Sequence, residues 1–507
     1  MLEETILSVL RRQDWAAWLF PILLTYLLFV LSRAIYDAFF GPLSIYPGPW
    51  WRAISNIPEA LTLLRGEEGK VYLALHETYG PVVRVASTKL SYTGQDAFRD
   101  IYGAKANLPK DFFFYGKPAS GFSPIVSAAK DEHSRQRKVL AQPFSARNLR
   151  ELEPRLKSWA QRLRSKLEEE AEAGKSCDMV EYYNCTTFDI MGDLCFSEDL
   201  GMLKNGEYAS WLRAAFESIK TASRFIAIKT CGKPFGWLVD LLLQILPQAR
   251  GKHENEHRES STARMRRRLA CEPGEPDLWT RILEKSPDGL AEGEHYANSG
   301  FFLFAGSETT ATALSGITFY LLKNPEYLAK LVEEIRSTYS KFDDMSLESL
   351  VRMKFLHCVI QEGLRMLPPV PSMLARKVPR EGATIAGKRV SPGTTVGFHH
   401  LSAYRNPKYW QDGSEFRPER WMGDSKYKND HLGVLEPFSI GSHDCLGKAL
   451  AWHEIRLILA TVLLHFDLSL CAVSNNWSDL KIYGIWEKKP LVVQIQRANV
   501  EQSRSLL

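Results

Sequence analysis

The 507-residue chain lacks the features that mark several large classes of protein. Its eight cysteines (Cys177, Cys185, Cys195, Cys231, Cys271, Cys358, Cys445 and Cys471) form no C-x-x-C pair and no regular framework. This argues against a zinc ribbon or a disulfide scaffold and suits a reducing compartment. There is no internal repeat, no low-complexity tract and no G-x-G-x-x-G stretch, so the chain carries no dinucleotide or flavin fingerprint. A net charge of +5 is small for this length and leaves no electrostatic footprint for nucleic acid. What remains is ordinary globular composition, 45% hydrophobic and 24% charged. The length allows a large core and, taken alone, two or three domains.

The N-terminus holds a long charge-free run. Trp15 to Ser32 is rich in leucine and phenylalanine and reaches about the minimum for a membrane-spanning helix. Trp15, Trp18, Tyr26 and Tyr36 lie in or beside it, as interfacial aromatics do. A cleaved signal peptide is the competing reading. It fits less well, because Glu3, Glu4 and Asp14 offset Arg11 and Arg12 and no small-x-small site follows. The basic residues on the two sides nearly balance, so charge does not set the orientation. Gly41-Pro42 to Pro47-Gly48-Pro49-Trp50 then reads as a stiff, extended hinge. Residues 1–14 become a short tail, 15–32 an anchor, 33–50 a hinge and 51–507 the folded domain.

Further on, His253-Glu254-Asn255-Glu256-His257 spells H-E-x-x-H, a zinc-helix pattern. Its neighbours Lys252, Arg258 and Glu259 make a solvated, charge-laced helix the better reading. Phe235 to Leu246 is too short to span a membrane and reads as a core or interfacial helix. Asn298 to Leu322 is a long, nearly uncharged helix with Glu308 its one acid. It is either a second membrane span, a core helix whose threonines bond back one turn, or a functional helix marked by an acid beside Gly306, Thr309 and Thr310.

The densest chemical signal is Phe438-Ser439-Ile440-Gly441-Ser442-His443-Asp444-Cys445-Leu446-Gly447, ahead of an apolar helical run to Phe466. A cysteine just before a helix meets unpaired N–H groups and the positive end of the helix dipole, which favour a thiolate. Such a thiolate is a good axial ligand for haem iron. Gly441 permits the tight turn, Gly447 allows close approach of a flat macrocycle, and Phe438 shields the sulfur. The plainer alternative is a buried structural cysteine at the start of a core helix.

Phe438-x-x-Gly441-x-x-x-Cys445-x-Gly447 resembles the ligand loop of the cytochrome P-450 family, the haem-thiolate monooxygenases. His443 departs from that pattern, which has arginine there as a propionate ligand. Three further stretches follow the family's order: Ala305-Gly306-Ser307-Glu308-Thr309-Thr310, Glu362-Gly363-Leu364-Arg365 and Phe416-Arg417-Pro418-Glu419-Arg420-Trp421. The resemblance runs from the anchor to about residue 495, and the wording around Tyr182–Met191 is similar to fungal members of secondary-metabolite pathways.

The resemblance implies a mainly α fold with small β-sheets, one large catalytic domain behind a single transmembrane helix, and an endoplasmic-reticulum membrane location with the domain in the cytosol. It implies haem b on the Cys445 thiolate, with propionates bound by His133, Arg137, Arg376 and His443. Glu308 and Thr309 would deliver protons, Glu308 from bulk solvent, while Ala305 and Gly306 leave room above the iron. Phe112, Phe113, Phe122, Val370, Met373, Leu374 and Ile485 would line the substrate cavity. Glu362, Arg365 and Arg420 would form a buried scaffold. The expected reaction inserts one atom of dioxygen into a hydrophobic terpenoid, polyketide or alkaloid. Its electrons would come from NADPH through a separate reductase, with cytochrome b5 a further candidate donor. The rivals are a haem-thiolate isomerase or dehydratase, and a membrane-anchored haem sensor.

Overall fold

The computed structural model describes residues 15–106, 108–115, 121–231, 248–272, 274–285 and 289–498. Side chains of 15–19, 231 and 248–255 lie outside this description, as do Phe235–Leu246 and His253 of the two stretches read above.

The first described element is a helix, Trp15–Phe39, which runs past Ser32 into the stretch expected to be hinge. Its segment Phe20–Phe39 is long and apolar enough to cross a membrane, and only 6% of the apolar window is covered by protein. The reason for its extra length sits at its C-terminal end. The Arg84 guanidinium donates to the carbonyls of Asp37 (3.4 and 3.3 Å) and Ala38 (3.2 Å), satisfying acceptors that a helix end leaves open. The proline-rich stretch 41–50 then folds onto the domain, with Leu43 and Tyr46 buried and Arg84 N–H bonded to the Pro47 carbonyl at 2.7 Å.

Helices dominate the rest. The central helix spans Glu292–Lys323 and is buried along most of its length. A helix that is apolar all round demands cover on every side, and here protein supplies it. Among the described residues, only the N-terminal helix passes the membrane test. The central helix packs against Met179–Phe196, Lys354–Met366 and Lys448–His465, with Phe188, Leu314, Ile317, Val359 and Ile458 in one continuous core. Burying each such side chain contributes roughly 1.5–3 kcal/mol. Two glycines set the helix spacing. A Cβ on Gly306 would stand 2.7 Å from Met191 Sδ, and one on Gly363 would overlap Ile317. Gly306 therefore serves helix contact as well as the cavity described below.

The β structure is small. One sheet orders its strands Val82–Ala86, Lys89–Tyr92, Thr395–Phe398, Arg376–Lys377, with Leu90 opposite Val396 in the parallel pair. A two-stranded hairpin, Lys481–Tyr483 with Ile485–Glu487, lies near the C-terminus. The fold is the mainly α arrangement with minor sheets that the sequence suggests.

Candidate active site

The ligand-type loop is held by its own backbone. Cys445 N–H donates to the Phe438 carbonyl at 2.8 Å and Asp444 N–H to the Gly441 carbonyl at 3.3 Å. Gly441 has φ +76°, and a Cβ there would overlap the Tyr102 carbonyl. This turn therefore accepts only glycine. Gly447 caps the helix Lys448–His465. A Cβ at Gly447 would meet nothing nearer than Phe144 at 4.0 Å, so its space opens onto the cavity.

Cys445 lines a cavity of about 300 Å³ beneath the central helix, and it is the one cysteine in that lining. Its surface is open to the cavity while protein surrounds it elsewhere. Burial pushes the thiol pKa up, opposed by the Gly447 N–H and by Arg137 and Lys448. Burial and the helix terminus thus act in opposite directions on the thiol.

One end of the cavity is basic. Lys110, His133, Arg137, Arg376 and His443 all line it. The His133 and His443 rings lie 3.9 Å apart, tilted by 38°, and burial among these cations pushes their pKa values down to about 4 and about 3. Arg137 is engaged by Asp444, donating to its carbonyl at 2.8 Å and pairing with its carboxylate. Arg376 is buried with its Nε unpartnered. Lys110 escaped the sequence reading. It donates to the carbonyls of Ile125 (2.8 Å) and Ala128 (3.1 Å), and burial beside Arg376 brings it down to about 7. A basic residue directly before the Asp111–Tyr115 aromatics was its only sequence signal.

The remaining lining is largely apolar, with Ile125, Phe301, Phe302, Leu364, Val370 and Leu374 beside Ala305, Gly306, Thr309 and Thr310. Thr309 donates to the Ala305 carbonyl at 2.7 Å. Five expected cavity residues are elsewhere. Phe112 is exposed and Phe113 packs its ring on Phe114 at 5.4 Å, because the short helix Phe112–Tyr115 turns only Tyr115 into the cavity. Phe122 covers Gly293 at the start of the central helix. Met373 packs against Gly397 of the sheet. Ile485 belongs to a second chamber.

That second chamber, about 200 Å³, also receives Glu308. Adjacent helical residues point about 100° apart, and here Thr309 lines the first cavity while Glu308 turns to the second. Glu308 is buried and paired with Lys488 Nζ at 2.8 Å, and accepts from Thr312 at 3.2 Å. Lys488 also donates to Thr312 (3.0 Å) and Asn184 (3.2 Å). Burial pushes the carboxyl up and the amine down, and their contact opposes both shifts. The expected link from Glu308 to bulk solvent is thus replaced by a buried ion pair.

Behind the loop, Glu362 accepts from Arg365 (2.7 and 2.9 Å), Arg420 (3.1 Å), Trp421 (2.9 Å) and the Arg417 N–H (2.7 Å), with Glu362, Arg365 and Arg420 fully buried. Asp430, unforeseen in the sequence, completes the cluster on Arg420. Of the H-E-x-x-H stretch, His257 packs on Trp211, and among the described residues no group of three metal-binding side chains occurs.

The family model "Cytochrome P450" matches residues 46–492. The chain belongs to the cytochrome P450 family. It is 41% identical over 486 residues to the cytochrome P450 monooxygenase efuB of Hormonema carpetanum, covering 94% of this chain and 95% of that protein. It is 37% identical over 473 residues to astA of Talaromyces wortmannii (92% and 95% covered) and 38% over 475 residues to atr2 of Stereocaulon alpinum (92% and 93%), both also cytochrome P450 monooxygenases. The chain is accordingly an oxygen-incorporating oxidoreductase, a haem monooxygenase.

The residues present fit the haem that this family carries. A single thiol faces the cavity, Gly447 leaves room for a flat ring, and five basic or imidazole groups, one with an orphaned donor, suit two propionates.

Proposed function

We propose that the protein oxidises a hydrophobic small molecule, with Cys445 as the haem's axial ligand. Haem iron bound through a thiolate supplies the activation of dioxygen. The observation that carries this reading is the polarity of one cavity. A lone thiol and a cluster of bases lie at one side, and an apolar wall with a threonine lies at the other.

In this reading Lys110, Arg137, Arg376, His133 and His443 hold the propionates. Phe438 and Leu446 exclude water from the sulfur, and Gly441 fixes the loop. Thr309 presents a hydroxyl to the cavity, where it can trade its bond to the Ala305 carbonyl for one to a guest. The apolar wall binds substrate by burial and not by charge, which suits a terpenoid, polyketide or alkaloid skeleton. Electrons come from NADPH through a separate reductase, with cytochrome b5 a second source, since the chain has no dinucleotide fingerprint. The N-terminal helix anchors the protein in the endoplasmic-reticulum membrane with the domain in the cytosol.

The test is turnover under labelled dioxygen with NADPH and a microsomal reductase, across those three substrate classes. Transfer of one labelled oxygen atom to a hydrophobic product supports the reading. Equal product without NADPH or dioxygen contradicts it.

A further inference from the structure

The second chamber is a built site that the functional reading leaves unused. It lies between the helices Met179–Phe196 and Ser210–Cys231, the central helix and the C-terminal hairpin. Among the described residues it shares none of its lining with the cavity that Cys445 faces. Much of its wall is apolar or aromatic, with Val180, Phe216, Ile219, Tyr483, Ile485 and Trp486.

Its polar groups are nearly all engaged. Lys488 has three N–H bonds to give, and it gives them to Glu308 Oε1 (2.8 Å), Thr312 (3.0 Å) and Asn184 Oδ1 (3.2 Å). Lys220 is paired with Glu487 and lies over the Tyr483 ring. Both cations are thus neutralised in place, and Glu217, Glu308 and Glu487 outnumber them by one. Two capacities remain. Glu308 is almost fully buried, and its Oε2 has no partner. Tyr208 accepts from Asn184 Nδ2 at 2.8 Å, and its own O–H donates to nothing among the described residues. Burial pushes the phenol up, with Glu308 among the charges that add to the shift, so it stays an O–H donor.

A buried carboxylate oxygen without a partner is costly. An anion is repelled by it, and a hydrocarbon leaves it bare. An ammonium would satisfy Glu308 but has no lone pair for the Tyr208 proton. A hydroxyl serves both, donating to Glu308 Oε2 and accepting from Tyr208.

We propose that this chamber binds a small neutral alcohol or phenol, its hydroxyl between Glu308 and Tyr208 and its apolar body against Phe216 and Trp486. The size of the chamber suits a single ring. The site is separate from the haem cavity and does not depend on the haem-thiolate reading.

The test is equilibrium dialysis of the haem-loaded full chain against 2-phenylethanol, while the haem-ligating 4-phenylimidazole saturates the first cavity. One molecule per chain is expected to bind. Ethylbenzene, which lacks the hydroxyl, is expected to bind at least about tenfold more weakly, and phenethylammonium also more weakly than the alcohol. Tyr208→Phe weakens the alcohol about three- to tenfold, the worth of one hydrogen bond, and leaves ethylbenzene unchanged. Ile219→Trp fills the chamber and abolishes uptake. Equal affinity for alcohol and hydrocarbon, or tighter binding of the ammonium, overturns the proposal. So does uptake that survives Ile219→Trp, or no uptake of any probe, which leaves water as the occupant. Should Ile219→Trp fail to fold, Tyr208→Phe decides alone, and an unchanged affinity for the alcohol overturns the assignment. A chain that takes up no haem contradicts the functional reading and not this one. Native against Tyr208→Phe in the haem-free form then decides the chamber.

Discussion

Lys488 Nζ stands 2.8 Å from Glu308 Oε1, and both side chains are almost wholly buried, at 5% and 3% exposure. The lysine comes from just beyond the C-terminal hairpin and the glutamate from the central helix, so the pair ties two distant parts of the chain together. Removing one partner of such a pair leaves an uncompensated buried charge, which costs about 3–5 kcal/mol. Lys488→Met is expected to lose stability on that scale, and the double variant Lys488→Met/Glu308→Gln to recover part of it. Denaturant unfolding of the native protein, Lys488→Met, Glu308→Gln and the double variant measures this, and additive losses would contradict it.

The fully buried cluster around Glu362 makes a similar prediction with a different readout. Glu362→Gln leaves the guanidiniums of Arg365 and Arg420 facing each other without their shared carboxylate. The expected loss is again about 3–5 kcal/mol, with most of the protein recovered without haem. A Gln variant of native stability and full haem content would show the cluster to be dispensable.

The two loop glycines are expected to behave differently. Gly441→Ala forces a side chain into left-handed backbone against the Tyr102 carbonyl, so it lowers unfolding temperature with or without haem. Gly447→Ala has free space in the protein itself and is expected to leave the haem-free protein as stable as native while weakening haem retention. Calorimetry of both variants in the two forms separates these effects.

At the basic end, Arg376→Met and Lys110→Met are each expected to speed haem loss to an acceptor apoprotein, because each removes a buried basic group from the end of the cavity proposed to hold the propionates. Unchanged transfer rates in both would place the propionates elsewhere.

Glu454 links protonation to stability. Its carboxyl is raised to about 8 when folded, against 4.5 ordinarily. Between those values the folded state holds a proton that the unfolded state releases, so stability falls as pH rises across this window. The contribution is intact below about 4.5 and lost above about 8. Thermal unfolding of Glu454→Gln is expected to show a flatter slope there than the native protein.

How much of this was legible from residues alone follows a physical line. The loop Phe438–Gly447 carries its chemistry in contiguous residues, and Glu362, Arg365 and Arg420 sit in short motifs, which the family resemblance brought forward. The direction of side chains on a buried helix was harder. Glu308 and Thr309 are neighbours in sequence and face different chambers, a consequence of the 100° helical step that adjacency conceals. Phe112, Phe113 and Phe122 lack periodicity, and aromatic content did not indicate which ring turns inward. Lys110 and Glu454 matter through what surrounds them. For Glu454 the one sequence signal was that it is the single acid of the helix Lys448–His465, nine residues after Cys445.

The central claim is that Cys445 holds the haem, and the carbon monoxide difference spectrum of the dithionite-reduced protein tests it most directly. The native protein is expected to show the strongly red-shifted Soret band of a thiolate-ligated carbonyl complex, and Cys445→Ala to lack it. An unshifted band in the native protein, or a red-shifted band that survives in Cys445→Ala, would contradict the assignment.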